Sequence, residues 1–77
     1  MDSSEILLQL VSLQRSLYKR LRIDDLSEND ILRFENTLKL CSDSLVHSDP
    51  SYVRITKKIN RIREKISNYV KNYGSDM

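Results

Sequence analysis

Apolar side chains recur along this chain at steps of three and four, in three separable runs. In the first run Ile6, Leu10, Leu13 and Leu17 step four, three and four, and Leu7, Tyr18 and Leu21 widen the stripe. Residues so spaced share one face of an α-helix. Asp2 and Glu5 stand ahead of the run at capping-box spacing, with Ser3 and Ser4 as alternative caps. Lys19, Arg20 and Arg22 close it, where cations suit the negative end of the helix dipole. The pattern predicts a helix over about 4–22.

The second run carries Ile31, Phe34, Leu38, Cys41 and Leu45. Ser27 and Asp30 give its start signal, and Leu26 and Ile31 have the spacing of a hydrophobic staple. Its predicted span is about 28–46. Ser48-Asp49-Pro50 then ends one helix and opens the next, with Asp49 as cap and Pro50 at the first helical position. The third run is the most regular: Tyr52, Ile55, Ile59, Ile62, Ile66, Tyr69 and Tyr73 alternate steps of three and four, and Gly74 is a natural terminator. Its predicted span is about 50–73.

Short connections between long helices make neighbours antiparallel. The expected fold is therefore all-α: one small domain over residues 1–77, an up-down-up three-helix bundle whose third helix is the longest. The seam of that helix is expected to run past the end of the bundle and leave Tyr69, Val70 and Tyr73 partly uncovered. Isoleucine at both seam positions favours assemblies larger than a two-stranded coil. Three helices of one chain satisfy that preference. So does a homodimer of helical hairpins, which leaves self-association through a coiled-coil-like seam open.

Composition narrows the class further. Glycine and proline occur once each in 77 residues, which does not suit an all-β fold with its frequent turns. A single cysteine and a single histidine make neither an internal disulfide nor a good metal set. A chain of this size usually needs such a staple or a partner, so docking or oligomerisation is the remaining aid. The longest apolar run, Ile6-Leu7-Leu8, falls far short of the roughly 20 residues of a membrane span. The acidic opening Met1-Asp2-Ser3-Ser4-Glu5 is unlike a secretory leader, and an intracellular, cytoplasmic location is expected.

Charge is unevenly spread. Residues 1–49 hold six basic and nine acidic side chains and sum to −3; residues 50–77 hold seven basic and two acidic and sum to +5. At 100° per residue Arg54, Lys58, Arg61 and Lys65 fall in one stripe beside the isoleucine seam, and Lys57 extends it. Such a stripe is either a solvated flank whose aliphatic stems shield the seam, partly paired with acids of the second helix such as Glu35 or Asp43, or an electrostatic footprint for an acidic protein surface, nucleic acid or phosphate headgroups, with the protein surface favoured.

Candidate chemistry is sparse. Cys41 lies on the apolar seam between Leu38 and Leu45 and reads as a small core residue. His47 follows the helix end, where its protonated form suits the dipole. Asp24-Asp25 and Glu28/Asp30 belong to a turn and a first helical turn, where acids are expected. They lack the glycine and the alternating oxygen ligands of a calcium loop, and no glycine-rich phosphate loop exists. The long flanking helices do not suit a helix-turn-helix. Phe34, Tyr52, Tyr69 and Tyr73 read as packing residues before stacking platforms.

Two short stretches resemble known families. Leu26-Ser27-Glu28-Asn29-Asp30 with Phe34 resembles a helix start in the enterobacterial Hha-type nucleoid modulators. Glu35-Asn36-Thr37-Leu38-Lys39 is similar to the signature of the sporulation aspartyl-phosphate phosphatases, with lysine where that signature is acidic. Both stretches lie in a capped helix start, and no family is assigned from them. The expected function is that of a small non-enzymatic helical interaction module: an adaptor, a chaperone-like subunit or a regulator acting by binding. Its expected partner-binding residues are Arg54, Lys57, Lys58, Arg61, Lys65, Tyr69 and Tyr73, with the tyrosines as anchors. Its partner is another protein with an acidic surface, or a second copy of itself. A nucleic-acid-associated regulator contacting phosphates through the same stripe is the alternative. No cofactor, metal or small-molecule substrate is expected.

Overall fold

A computed structural model of the chain describes residues 2–74. They form three helices, α1 (Ser3–Arg22), α2 (Glu28–Ser44) and α3 (Tyr52–Gly74), with every pair in contact. The body measures 43 × 20 × 17 Å. This is the three-helix bundle, with α3 the longest, that the periodicity implies.

The buried residues are the seam residues. Ile6, Leu10, Leu13 and Leu17 of α1 meet Phe34, Leu38 and Cys41 of α2 and Ile55, Ile59, Ile62 and Ile66 of α3, and Leu26 joins them from the first connection. The isoleucine seam is at most 3% exposed. It is closed by α1 and α2 of the same chain, so burying it requires no second copy. Each such side chain contributes about 1.5–3 kcal/mol when fully buried. Among the described residues the core holds no buried polar or charged residue, and no buried side-chain nitrogen or oxygen lacks a hydrogen-bond partner.

The helix ends show how the sequence punctuates the fold. The Asp2 carboxylate accepts from the Glu5 N–H at 2.9 Å. At α2 the capping box is complete: Ser27 Oγ accepts from the Asp30 N–H, and Asp30 Oδ2 accepts from the Ser27 N–H, both at 3.2 Å. Asp30 is also the polar tie between α1 and α2, because Arg20 Nη1 reaches Oδ2 at 3.2 Å and Arg33 Nη2 reaches Oδ1 at 3.0 Å. These contacts, the Ser27 backbone N–H foremost and then the Ser27 side chain and the two arginines, hold the Asp30 carboxyl below its ordinary range against partial burial.

Helix α1 ends in a Schellman turn. The Asp24 N–H donates to the Leu21 carbonyl (3.2 Å) and the Asp25 N–H to the Arg20 carbonyl (2.9 Å). Asp24 takes the left-handed position of that motif, φ 53°, where glycine is usual and aspartate is tolerated.

Two boundaries differ from the expectation. Helix α2 stops at Ser44 rather than about 46, because Leu45 is extended (ψ 128°). Leu45 still packs against the core, so the apolar spacing continues past the end of the helix. Ser42, Asp43 and Ser44 weaken that last turn, since short polar side chains compete for the backbone. Helix α3 starts at Tyr52 rather than 50. Asp49 does cap, but it caps a single tight turn: its Oδ1 accepts from the Ser51 N–H at 2.7 Å and its carbonyl from the Tyr52 N–H at 2.9 Å. The regular α ladder begins only with the Ile55 N–H on the Ser51 carbonyl.

Candidate interaction face

The seam fixes the direction in which the charged row of α3 points. With Ile55, Ile59, Ile62 and Ile66 turned inward, residues one step round the helix form its flank. Arg54, Lys57, Arg61 and Lys65 are exposed and Lys58 is half-buried. Arg54, Lys57, Lys58 and Arg61 line one shallow groove. Lys65 shows which neighbour this flank meets, because its Nζ lies 5.7 Å from the centroid of the Tyr18 ring on α1. That is cation–π range.

The other flank of α3 belongs to α2. There Arg63, Ile66, Ser67 and Val70 line a groove with Glu35 and Lys39. The pairing with Glu35 or Asp43 that a solvated flank allows is not present among the described residues. The row faces α1, and α2 lies on the far side of the seam. The ion pairs among the described residues are those at Asp30, and none of Arg54, Lys57, Lys58 or Arg61 has one. Like charges three and four apart on a helix cost about 0.2–0.5 kcal/mol per pair. The free chain thus carries a repulsion of about 1 kcal/mol along this row, which an acidic surface would relieve.

The described tyrosine side chains of α3, Tyr69 and Tyr52, differ in environment. Tyr69 packs against the core, and its hydroxyl donates to the Leu26 carbonyl at 3.4 Å, tying the far end of α3 to the α1–α2 connection. Its neighbour Val70 is 44% exposed. The Tyr73 side chain lies outside the described residues. Tyr52 is half-buried at the start of α3 and stacks on His47, ring centroids 4.5 Å apart. His47 thus lies against the first turn of α3, whereas its position in the sequence suggests only the end of α2.

Cys41 is fully buried, and that burial pushes its thiol pKa up, which favours the protonated thiol over the nucleophilic thiolate. Among the described residues no three of His, Cys, Asp and Glu are grouped to hold a metal ion. No helix among them is long and apolar enough to cross a membrane.

Sequence reasoning missed the α1 half of the face. Tyr18 and Val11 are each 37% exposed, and Arg15 and Arg22 are exposed beside Tyr18. Arg15 lies three positions before Tyr18 and Arg22 four after it, a spacing visible in the sequence. What the sequence lacks is the fact that this side of α1 abuts the basic flank of α3. Comparison of the chain with protein-family models, curated proteins and solved structures gives no match.

Proposed function

We propose that the protein is a non-enzymatic helical interaction module that recognises an acidic protein surface through the basic flank of α3. The observation that carries this reading is the row Arg54, Lys57, Lys58 and Arg61: four cations along one groove, none with an ion pair among the described residues. Surface cations scattered for solubility are normally interspersed with acids. A row of one sign steers an oppositely charged partner and fixes its register. In this reading the seam supplies a rigid rod, and the cations set the encounter rate and orientation. An adaptor, a small chaperone-like subunit and a binding regulator all share this physics.

The test is capture from the native cell extract with wild-type protein and with the Arg61→Glu/Lys65→Glu variant, each with and without nuclease. The reading expects a captured protein that survives nuclease and is lost with the variant, while circular dichroism shows unchanged helicity. Nuclease-sensitive capture would instead assign the row to nucleic acid, whose binding falls steeply with salt. Capture that the variant retains in full would make the row a solvated flank.

A further inference from the structure

The basic row of α3 is one side of a larger face. The Lys65 contact with Tyr18 brings α1 alongside it. Val11 and Tyr18, seven positions apart on one side of α1, are both partly open to solvent. Arg15 and Arg22 neighbour Tyr18 on the helix surface. The face is therefore an apolar strip of Val11 and Tyr18 with cations on both sides. The Tyr18 hydroxyl accepts from Gln14 Nε2 at 3.1 Å, which holds the ring in place.

We propose that this α1–α3 face docks a single acidic amphipathic helix from another protein. The partner's apolar side seats on Val11 and Tyr18, and its carboxylates meet the α3 row and the α1 arginines. The inference rests on the reading that the row binds protein. It adds the second helix, the anchor residue and the form of the partner.

Charge and spacing argue for a helix as occupant. Arg54, Lys58, Arg61 and Lys65 recur at steps of four, three and four, the interval at which carboxylates recur on one side of an α-helix. A helix laid alongside meets the row over about 16 Å, roughly three turns. The strip argues for the same occupant. Duplex phosphates match the cations but leave Val11 and Tyr18 without an apolar complement, whereas an amphipathic helix supplies both. A partly exposed tyrosine with arginines three positions before and four positions after it on the helix has the composition of a binding hot spot.

The test uses the full chain and three labelled probes: a Glu/Leu peptide of about five helical turns with its leucines in one row, a peptide of the same composition with that row scrambled, and a mixed-sequence DNA duplex. Fluorescence anisotropy is expected to show the in-phase peptide binding about tenfold tighter than the scrambled one. Tyr18→Ala is expected to remove that advantage while leaving the scrambled peptide unchanged. Tyr18→Phe is expected to keep it, since the ring remains. Should Tyr18→Ala fail to fold, Val11→Ser tests the same strip from a second position, with a several-fold loss expected. Equal affinity for the two peptides, indifferent to Tyr18 and Val11, would overturn the inference and leave the charge-based reading standing. Binding of the duplex with neither peptide bound would overturn both.

Discussion

Replacing Ile62 by alanine tests whether the α3 seam is closed within one chain. Ile62 is 0% exposed at the middle of the seam. Removing its side chain costs the lost transfer energy plus a cavity, about 2–5 kcal/mol for a buried isoleucine. A chain of 77 residues has a total stability of about 4–12 kcal/mol at 0.05–0.15 kcal/mol per residue. The variant should therefore lose at least about a sixth of it, and about half if the total lies at the low end. At about 4–8 °C per kcal/mol for a domain of this size, the melting temperature should fall by at least about 8 °C. Val53, on the same helix but 61% exposed, supplies the control, and Val53→Ala should change stability by about 0.5 kcal/mol or less. The assay is thermal and urea unfolding followed by far-UV circular dichroism, repeated over a hundredfold range of protein concentration. Equal small effects of the two substitutions would refute the burial argument. A wild-type melting temperature that rises with concentration would refute closure within one chain, since a folded monomer shows no such dependence.

Other outcomes follow from the helix ends, the thiol and the charged row. Asp24→Gly should stabilise by up to about 1 kcal/mol, because glycine takes the left-handed position without the Cβ clash; urea unfolding reads this, and a loss would contradict the turn. Ser27→Ala should cost about 1 kcal/mol by breaking the α2 cap, which the same titration measures. The lowered Asp30 pKa means that its contribution is present in full above the ordinary carboxylate value of 3.8 and is lost as pH falls below that through the folded-state value. Asp30→Asn should accordingly flatten the acid limb of a stability–pH profile, and an unchanged limb would contradict the assignment. Cys41 should react with thiol reagents only through opening of the fold, slowing about tenfold for each 1.4 kcal/mol of stability; fast labelling of the native protein would show the thiol accessible. Arg61→Glu should raise stability by about 1 kcal/mol, since it replaces repulsion from Lys57, Lys58 and Lys65 with attraction and this outweighs the new repulsion from Glu64, while weakening partner binding. Opposite signs for stability and binding mark a residue kept for recognition.

How much of this is legible in the sequence depends on the range of the interaction. The isoleucine seam is legible because its period alone specifies a buried face, and the Ser27–Asp30 box because both halves lie within one turn. The end of α2 is hidden: Leu45 keeps the apolar spacing in an extended conformation, so periodicity cannot separate helix from the residue just beyond it. Asp24-Asp25 reads as a turn, but its left-handed residue depends on how the chain leaves α1. Arg20 meeting Asp30 and Lys65 meeting Tyr18 depend on which flanks the packed helices present to each other, and a one-dimensional pattern does not carry that. The same limit applies to the basic row: Glu35 is a plausible partner along the sequence and lies by the opposite flank of α3 in space.

If α3 keeps its apolar side inside the bundle and presents its cationic flank, together with α1, to an acidic helix, backbone amide chemical shifts will report it during titration with the in-phase acidic peptide. The predicted shifts run along α1 from Val11 to Arg22 and along α3 from Arg54 to Lys65, with the α2 amides undisturbed. Shifts concentrated on the solvent side of α2, or a general loss of dispersion as the peptide displaces the isoleucine seam, would contradict it.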